Sequence, residues 1–262
     1  MKIIVLTENC AGSGFLAEHG LSYLIEHEGK KVLFDTGHTD IFIKNANTLG
    51  IDIQKEVDMV VLSHGHWDHG DGLQYIANKT LITHPGAFIK RFRNKDNSSL
   101  GLKLSKKDIE QKFNLILKNV PYYITDEMVF LGQIPRLNNF ESRTTNFSDE
   151  SGQPDFVIDD SAIAVIQNNE LIVITGCSHS GICNIIDYAI KVTGINNVRT
   201  VIGGFHLKEN NLQTKCTKDF LKKKGINKIY PSHCTELPAL VAFYEDFNTE
   251  QLKTGMVLNY NI

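Results

Sequence analysis

The residues best equipped for chemistry are Ser63-His64-Gly65-His66-Trp67-Asp68-His69, which directly follow the apolar run Met59-Val60-Val61-Leu62. Three imidazoles and one carboxylate fall between positions 64 and 69. Imidazole and carboxylate are the usual donors to zinc and similar borderline divalent ions. Two histidines at i and i+2, followed by Asp-His, can divide between two adjacent ions without further folding. A buried strand running into a rigid loop would hold them at the rim of a sheet, open to substrate. Local hydrogen bonds account well for an isolated histidine and poorly for this cluster, so a metal site is expected here.

Further donors occur where other apolar runs stop. His179 lies in Gly176-Cys177-Ser178-His179-Ser180-Gly181 after Leu171–Thr175, His206 follows Val201-Ile202, and His233 follows Ile229-Tyr230-Pro231. If these strands share a sheet, their ends meet on one edge, and convergence on metal is the better account of three such loops. His84 also ends a short strand, with nothing else to support it. His19, His27 and His38 read as structural or solvent-facing. Neither a Ser-His-Asp arrangement nor a phosphate-cradling glycine loop competes, and Gly203-Gly204 is too short to imply a nucleotide fold.

The elements that must position these donors alternate along the chain. Leu21–Ile25 and Lys31–Phe34 flank Glu28-Gly29-Lys30 as a hairpin, and Asp35-Thr36-Gly37 closes its second strand. A short helix from Ile41 to Leu49 leads to the Met59 strand, and Leu81-Ile82-Thr83 forms another. From about 88 to 150 the character changes. Ser105-Lys106-Lys107-Asp108 reads as a capping box ahead of Ile109, Phe113, Ile116 and Leu117, one apolar helical face. This segment is expected to be a covering insertion, either a lid beside the site or simple structural packing, within a single domain spanning 1–262. Beyond it, Ser161–Ile166 and Leu171–Ile174 flank Asn168-Asn169 as a second hairpin. Helices over Ile182–Ile190, Thr217–Lys224 and Leu237–Phe247 separate strands at Val198–Ile202, Ile229–Tyr230 and Met256–Leu258.

Composition fits a soluble enzyme of α/β class. Over 262 residues, hydrophobic content is 42% and charged content 22%, which argues against disorder and against a membrane protein. No apolar run approaches bilayer length, and Met1–Leu6 reads as a first strand rather than a signal peptide. A net charge of −3 gives no reason to expect nucleic acid. Five cysteines without a C-x-x-C pair make a disulfide framework unlikely, and a cytoplasmic setting is expected.

With these residues in place the chain resembles the metallo-β-lactamase-fold superfamily. Leu33-Phe34-Asp35-Thr36-Gly37 and His64-Gly65-His66-Trp67-Asp68-His69 match its diagnostic His-x-His-x-Asp-His pattern, and the later His loops agree in order. Leu6–Asn9, Leu16–Ser22, Thr175–Gly181, Gly203–Leu207 and Pro231–Thr235 resemble a prokaryotic subgroup of metal-dependent hydrolases (β-lactamase superfamily II). That subgroup is related to an archaeal dihydropterin–aminobenzene ribosyl phosphate synthase. The resemblance implies a four-layer αββα sandwich of two mixed sheets with outer helices. It also implies two divalent ions, zinc first, with manganese, iron or magnesium as alternatives. His64 and His66 would bind the first ion and Asp68 and His69 the second, completed by His179 and His233 respectively. Asp35 is implied beneath the cluster, as a ligand or as the group that orients one. Many superfamily members carry a bridging aspartate where this chain has Cys177, which leaves Cys177 a ligand or a buried inert thiol. Asp159 or Asp160 stands as an alternative to His179. Asp71 and Glu236 depart from the subgroup and add negative charge near the expected mouth.

Two ions about 3.5–4 Å apart would hold a bridging water and lower its pKa, giving a hydroxide that attacks an ester, lactone, thioester or phosphoester. Asp68 would orient that water or take its proton, and His206 would contact substrate or, like His233, protonate the leaving group. The alternative is a transferase in which an arylamine displaces pyrophosphate from a dihydropterin, forming a C–N bond. A non-catalytic metal-binding module is a weaker reading. A redox di-iron site is weaker still, because members of that type have a carboxylate where this chain has His66. The expected partner is a small-molecule substrate, with no nucleic acid or membrane; oligomeric state is not encoded legibly.

Overall fold

Strands rich in consecutive apolar residues and short amphipathic helices assemble in the computed structural model into two compact units, described over residues 1–247 and 249–260. The first unit comprises Met1–Lys118, Asn146–Asp155 and the residues from Leu252 onward. Its seven-stranded sheet runs, in spatial order, Val257–Asn259, Lys2–Thr7, Ser22–His27, Lys30–Phe34, Met59–Val61, Thr80–Thr83 and Asn114–Leu117. The first three pairings are antiparallel and the last three parallel. The hairpin turns through Glu28 and Gly29, both at positive φ (48° and 72°), a combination that matches the twist of the flanking strands.

Both faces of this sheet are buried. On one, Ile4, Leu6, Leu24, Leu33, Val60, Leu62 and Leu81 form a core with Phe42 and Ala46 of the helix Ile41–Thr48. The intervening Ile3, Val5, Tyr23, Ile25, Val32, Phe34 and Val61 are fully buried on the other. Burial on two faces explains why these strands read as continuous apolar runs.

The capping box is formed: Ser105 Oγ accepts from Asp108 N, and Asp108 Oδ2 accepts from Ser105 N at 2.9 Å. The helix it starts is shorter than its apolar spacing suggests. It ends at Lys112, and Phe113 turns extended (φ −132°, ψ 151°). Ile116 and Leu117 belong to a parallel strand against Thr80–Thr83, because backbone pairing at the sheet edge outweighs one more helical turn. The 88–150 segment also supplies a ribbon of Arg91–Arg93 with Phe147–Asp149 to the first unit. To the second it supplies the strands Tyr122–Thr125 and Met128–Phe130.

The second unit, Asn119–Thr145 and Phe156–Gln251, has a six-stranded sheet. Its order is Ile229–Ser232, Val198–Gly204, Glu170–Thr175, Ala162–Gln167, Met128–Phe130 and Tyr122–Thr125. The first three strands are parallel and the rest antiparallel. Helices Ile182–Thr193, Leu212–Lys223 and Leu237–Asp246 cover one face, with Ile182, Ile185, Ile186, Ala189, Leu221, Ala239 and Phe243 in the core. Gly194 in the left-handed region ends the first of them. Two mixed sheets with helices, the α/β class read from the sequence, are thus what forms. Among the described residues no helix is long and apolar enough to cross a membrane.

Candidate metal centre

In the first unit the parallel pairing Phe34↔Val61 brings Asp35 and the Ser63–His69 turn to the same sheet end. Asp35 is fully buried and holds a left-handed backbone (φ 57°), tolerable for Asp and costly for most other residues. Its Oδ1 accepts from Ser63 N at 2.7 Å, and its Oδ2 accepts from Ser63 Oγ at 2.7 Å and faces His69 Nδ1 at 2.6 Å. The carboxylate therefore fixes a proton on His69 Nδ1 and turns Nε2 toward Asp68, whose Oδ2 is 4.0 Å away. Both oxygens of the Asp35 carboxylate are thus engaged, by Ser63 and by His69.

His64 Nδ1 lies 2.9 Å from Ser63 Oγ, and its Nε2 lies 3.0 Å from His66 Nδ1. Two imidazole nitrogens at that spacing suit a shared ion, since ligands about 2.0–2.1 Å from a tetrahedral metal stand about 3.3 Å apart. The His64 and His69 rings are 4.3 Å apart. Burial first, then the neighbouring His69 and His66, hold His64 well below the ordinary imidazole value, so it is neutral, the form that ligates. Gly65 has no alternative: a Cβ there would lie 1.7 Å from the Ala87 carbonyl oxygen. The turn is locked by Thr36 N to His69 O (2.7 Å) and Leu21 N to Asp68 O (3.2 Å). His84 is occupied locally, accepting Gly86 N through Nδ1 at 3.0 Å.

In the second unit, the parallel strands Glu170–Thr175, Val198–Gly204 and Ile229–Ser232 end together, and their loops are tied to one another. Gly204 N donates to Gly176 O, Ser178 Oγ to Gly204 O, and Phe205 N to Thr235 Oγ1. Three of these loop residues, Ser178, His206 and His233, take positive φ (56°, 52° and 51°). Such conformations persist where surrounding structure over-determines them, often at functional sites. The rings of His179 and His206 are 4.4 Å apart. The ligand atoms of Cys177, His206 and Cys234 all lie within 4.8 Å of one another. Gly204 makes room for this group, since a Cβ would meet Cys234 Sγ at 2.5 Å. Burial pushes the Cys234 thiol up, but hydrogen bonds with Cys177 and His206 and the nearby His206 and His233 outweigh it, leaving the thiol well below its usual value.

Asp159 and Asp160 are buried at the same end of this sheet, because Ala162 pairs with Thr175. Asp160 Oδ2 accepts from Ser180 N and Ser180 Oγ, and burial raises the carboxyl to about 6. That engagement makes Asp160 an anchor for the His179 loop. Asp71 is buried, accepting Lys103 N at 2.9 Å with Lys103 Nζ at 3.3 Å, and Glu236 pairs with Lys208 at 3.5 Å.

Sequence reasoning passed over two residues. Cys234 sits beside His233 in a strand-end loop, a position that signals it. His19, read as structural or solvent-facing, places Nε2 3.2 Å from Asp68 Oδ2, a contact made only by folding.

Comparison with known proteins adds to this geometry. Residues 17–188 match the family model described as the metallo-beta-lactamase superfamily. The chain is 35% identical to a Methanocaldococcus jannaschii protein named 7,8-dihydropterin-6-methyl-4-(beta-D-ribofuranosyl)-aminobenzene-5'-phosphate synthase, covering 99% of this chain and 97% of that one. An uncharacterized protein of the same organism is 33% identical, covering 91% and 92%. A crystal structure described as a metal-dependent hydrolase of the beta-lactamase superfamily superimposes with a TM-score of 0.87 at 29% identity, covering both chains fully.

Proposed function

This chain belongs to the metallo-beta-lactamase superfamily, and from that premise we propose that it is a dinuclear metal-dependent hydrolase of a small ester, lactone, thioester or phosphoester. The observation that carries the proposal is the Asp35-buttressed cluster of His64, His66 and His69 with Asp68 beside it. His64 and His66 serve one ion, Asp68 and His69 the other; the family pattern adds His179 to the first and His233 to the second. Divalent ions bound there, zinc foremost, supply Lewis acidity that lowers the pKa of water and polarises a substrate oxygen. Asp68 orients the attacking water and takes its proton, while Asp35 keeps His69 in the tautomer that presents Nε2. His206, held at positive φ in its loop, contacts the substrate and donates a proton to the leaving group.

A second reading is favoured by the 35% identical relative named as a synthase. In it an arylamine nitrogen takes the place of water, and a pyrophosphate leaves a dihydropterin methylene as the C–N bond forms. The same ligands would serve both readings, with Asp68 taking a proton from water in one and from the arylamine in the other; the nucleophile, the carbon or phosphorus attacked and the leaving group differ.

Elemental mass spectrometry on protein purified without chelator tests the shared premise. About two ions per chain are expected, with loss in His66→Ala; absence of metal even after reconstitution would sink both readings. Product analysis in ¹⁸O-water separates them: label in the product means hydrolysis, and an unlabelled C–N adduct means transfer.

A further inference from the structure

We propose that His19 is a further ligand of the second ion, beside Asp68 and His69; the inference rests on the dinuclear reading above. The His19 side chain is 58% exposed, yet its Nε2 reaches to 3.2 Å from Asp68 Oδ2, and the same oxygen is the one His69 Nε2 faces. Donors sharing a zinc-like ion at about 2.0–2.2 Å stand roughly 3.0–3.6 Å apart, so the His19–Asp68 spacing is that of two ligands on one centre.

The backbone carrying His19 is fastened on both sides. The Glu18 carboxylate accepts from His38 N (2.9 Å), Thr39 N (3.1 Å) and Thr39 Oγ1 (2.7 Å). On the other side Gly20 packs so closely that a Cβ would lie 3.0 Å from Asp68 O and 3.1 Å from Gly37 Cα. Leu21 N then donates to Asp68 O. The ring itself rests on Trp67 at 5.6 Å between centroids, with His38 against the same indole at 4.5 Å. An exposed imidazole on a loop this firmly held is aimed by its surroundings, which is what an accessible metal centre requires of a ligand.

A simple hydrogen bond would give the same distance but use the nitrogen differently. A ligand needs the Nε2 lone pair; a donor to Asp68 needs the Nε2 proton. His19→Gln separates the two, because a side-chain amide can still donate to the carboxylate and is a poor ligand for zinc-like ions.

The experiment is a Co²⁺ titration of the metal-free full chain, followed by visible d–d absorption, for the parent, His19→Ala and His19→Gln. The expected result is two Co²⁺ in the parent, with one of them weakened about 100-fold or more in both variants. The other ion and the thermal unfolding of the metal-free protein should be unchanged. Parent-like affinity in His19→Gln, with loss only in His19→Ala, overturns ligation in favour of hydrogen bonding. Parent-like affinity in both variants overturns any role at the ion. A parent that takes up no Co²⁺ fails the dinuclear reading itself, and this assignment with it.

Discussion

Asp35→Asn should disable metal binding while leaving the fold intact. The substitution is nearly isosteric, and asparagine tolerates the left-handed backbone at this position. The new amide's Oδ1 can keep Ser63 N, and its Nδ2 can donate to Ser63 Oγ, whose second lone pair still accepts from His64 Nδ1, so the His64 tautomer is unchanged. The conflict arises at His69 Nδ1, which then faces an amide donor across a gap that is 2.6 Å to the native carboxylate oxygen. The ring relieves it by moving its proton to Nε2, where it occupies the lone pair that a metal needs. Restoring the ligating tautomer would leave a buried N–H unsatisfied, which costs about 1–3 kcal/mol. At 1.36 kcal/mol per factor of ten, that is about a 5- to 150-fold loss of affinity. Competition between protein and a chromophoric chelator for Zn²⁺ measures it, and ¹⁵N-edited spectra of the histidine rings report the tautomer. Urea unfolding of the metal-free variant should shift by less than about 1 kcal/mol. Unchanged Zn²⁺ affinity, or an Nδ1-protonated His69 in the variant, would refute the argument that Asp35 acts through the His69 tautomer.

Other expectations follow from the same geometry. Asp160 is raised by burial from 3.8 to about 6; a raised acid stabilises the fold below its unfolded pKa and loses that contribution as pH rises through the folded one. Metal-free Asp160→Asn should therefore gain on the parent between about pH 4 and pH 6, by up to about 3 kcal/mol; a pH-independent difference in urea midpoints would contradict it. Glu141 caps the helix Ile182–Thr193 by accepting Cys183 N and Asn184 N, with Asn138 Nδ2 as a third donor. Glu141→Gln turns an amide donor toward these groups and should cost about 2 kcal/mol, read by chemical denaturation; an unaltered midpoint would mean the cap is dispensable. Gly65→Ala pushes a methyl into the Ala87 carbonyl. It should destabilise by about 3 kcal/mol or more and abolish metal uptake, and a stable, metallated variant would show that the turn can move.

Much of this was legible before folding, and the reasons are local. Ser63–His69 and Asp35 announce themselves because ligands at a strand end need only the strand to be placed, and the apolar runs before them are unmistakable. Glu28-Gly29 and Asn168-Asn169 signal their turns through the φ they must adopt, which the structure shows at 48°, 72°, 52° and 61°. The capping box works the same way. What the sequence hides is set by tertiary competition. Ile116 and Leu117 keep helical spacing with Ile109 and Phe113, and only the open edge beside Thr80–Thr83 makes them a strand. His19 lies 49 positions from Asp68, so nothing in its neighbourhood foretells the contact. Asp71 reads as surface charge because its partner Lys103 lies 32 positions further on. Asp35 shows a subtler limit: its type and place were readable, but the choice between ligand and buttress depends on which atoms Ser63 and His69 bring to it.

The first unit's outermost strand has a bearing on how the protein comes into being. Lys2 pairs with Asn259 and Ile3 with Leu258, so a strand made early waits for one made some 250 residues later. At about 5–20 residues per second, its flank stays bare for roughly 12–50 s of synthesis. Through that interval a buried-type apolar strand presents unpaired backbone to other nascent chains or to its own siblings, the ordinary route to strand-mediated aggregation. All the first unit's proposed ligands are translated by residue 69, so an ion could be captured early and hold the inner strands in register while the edge remains open. Metal supply during expression would then govern soluble yield as well as activity, and removing the residues from Leu252 onward would leave the ligands in place yet expose the strand that most needs a neighbour.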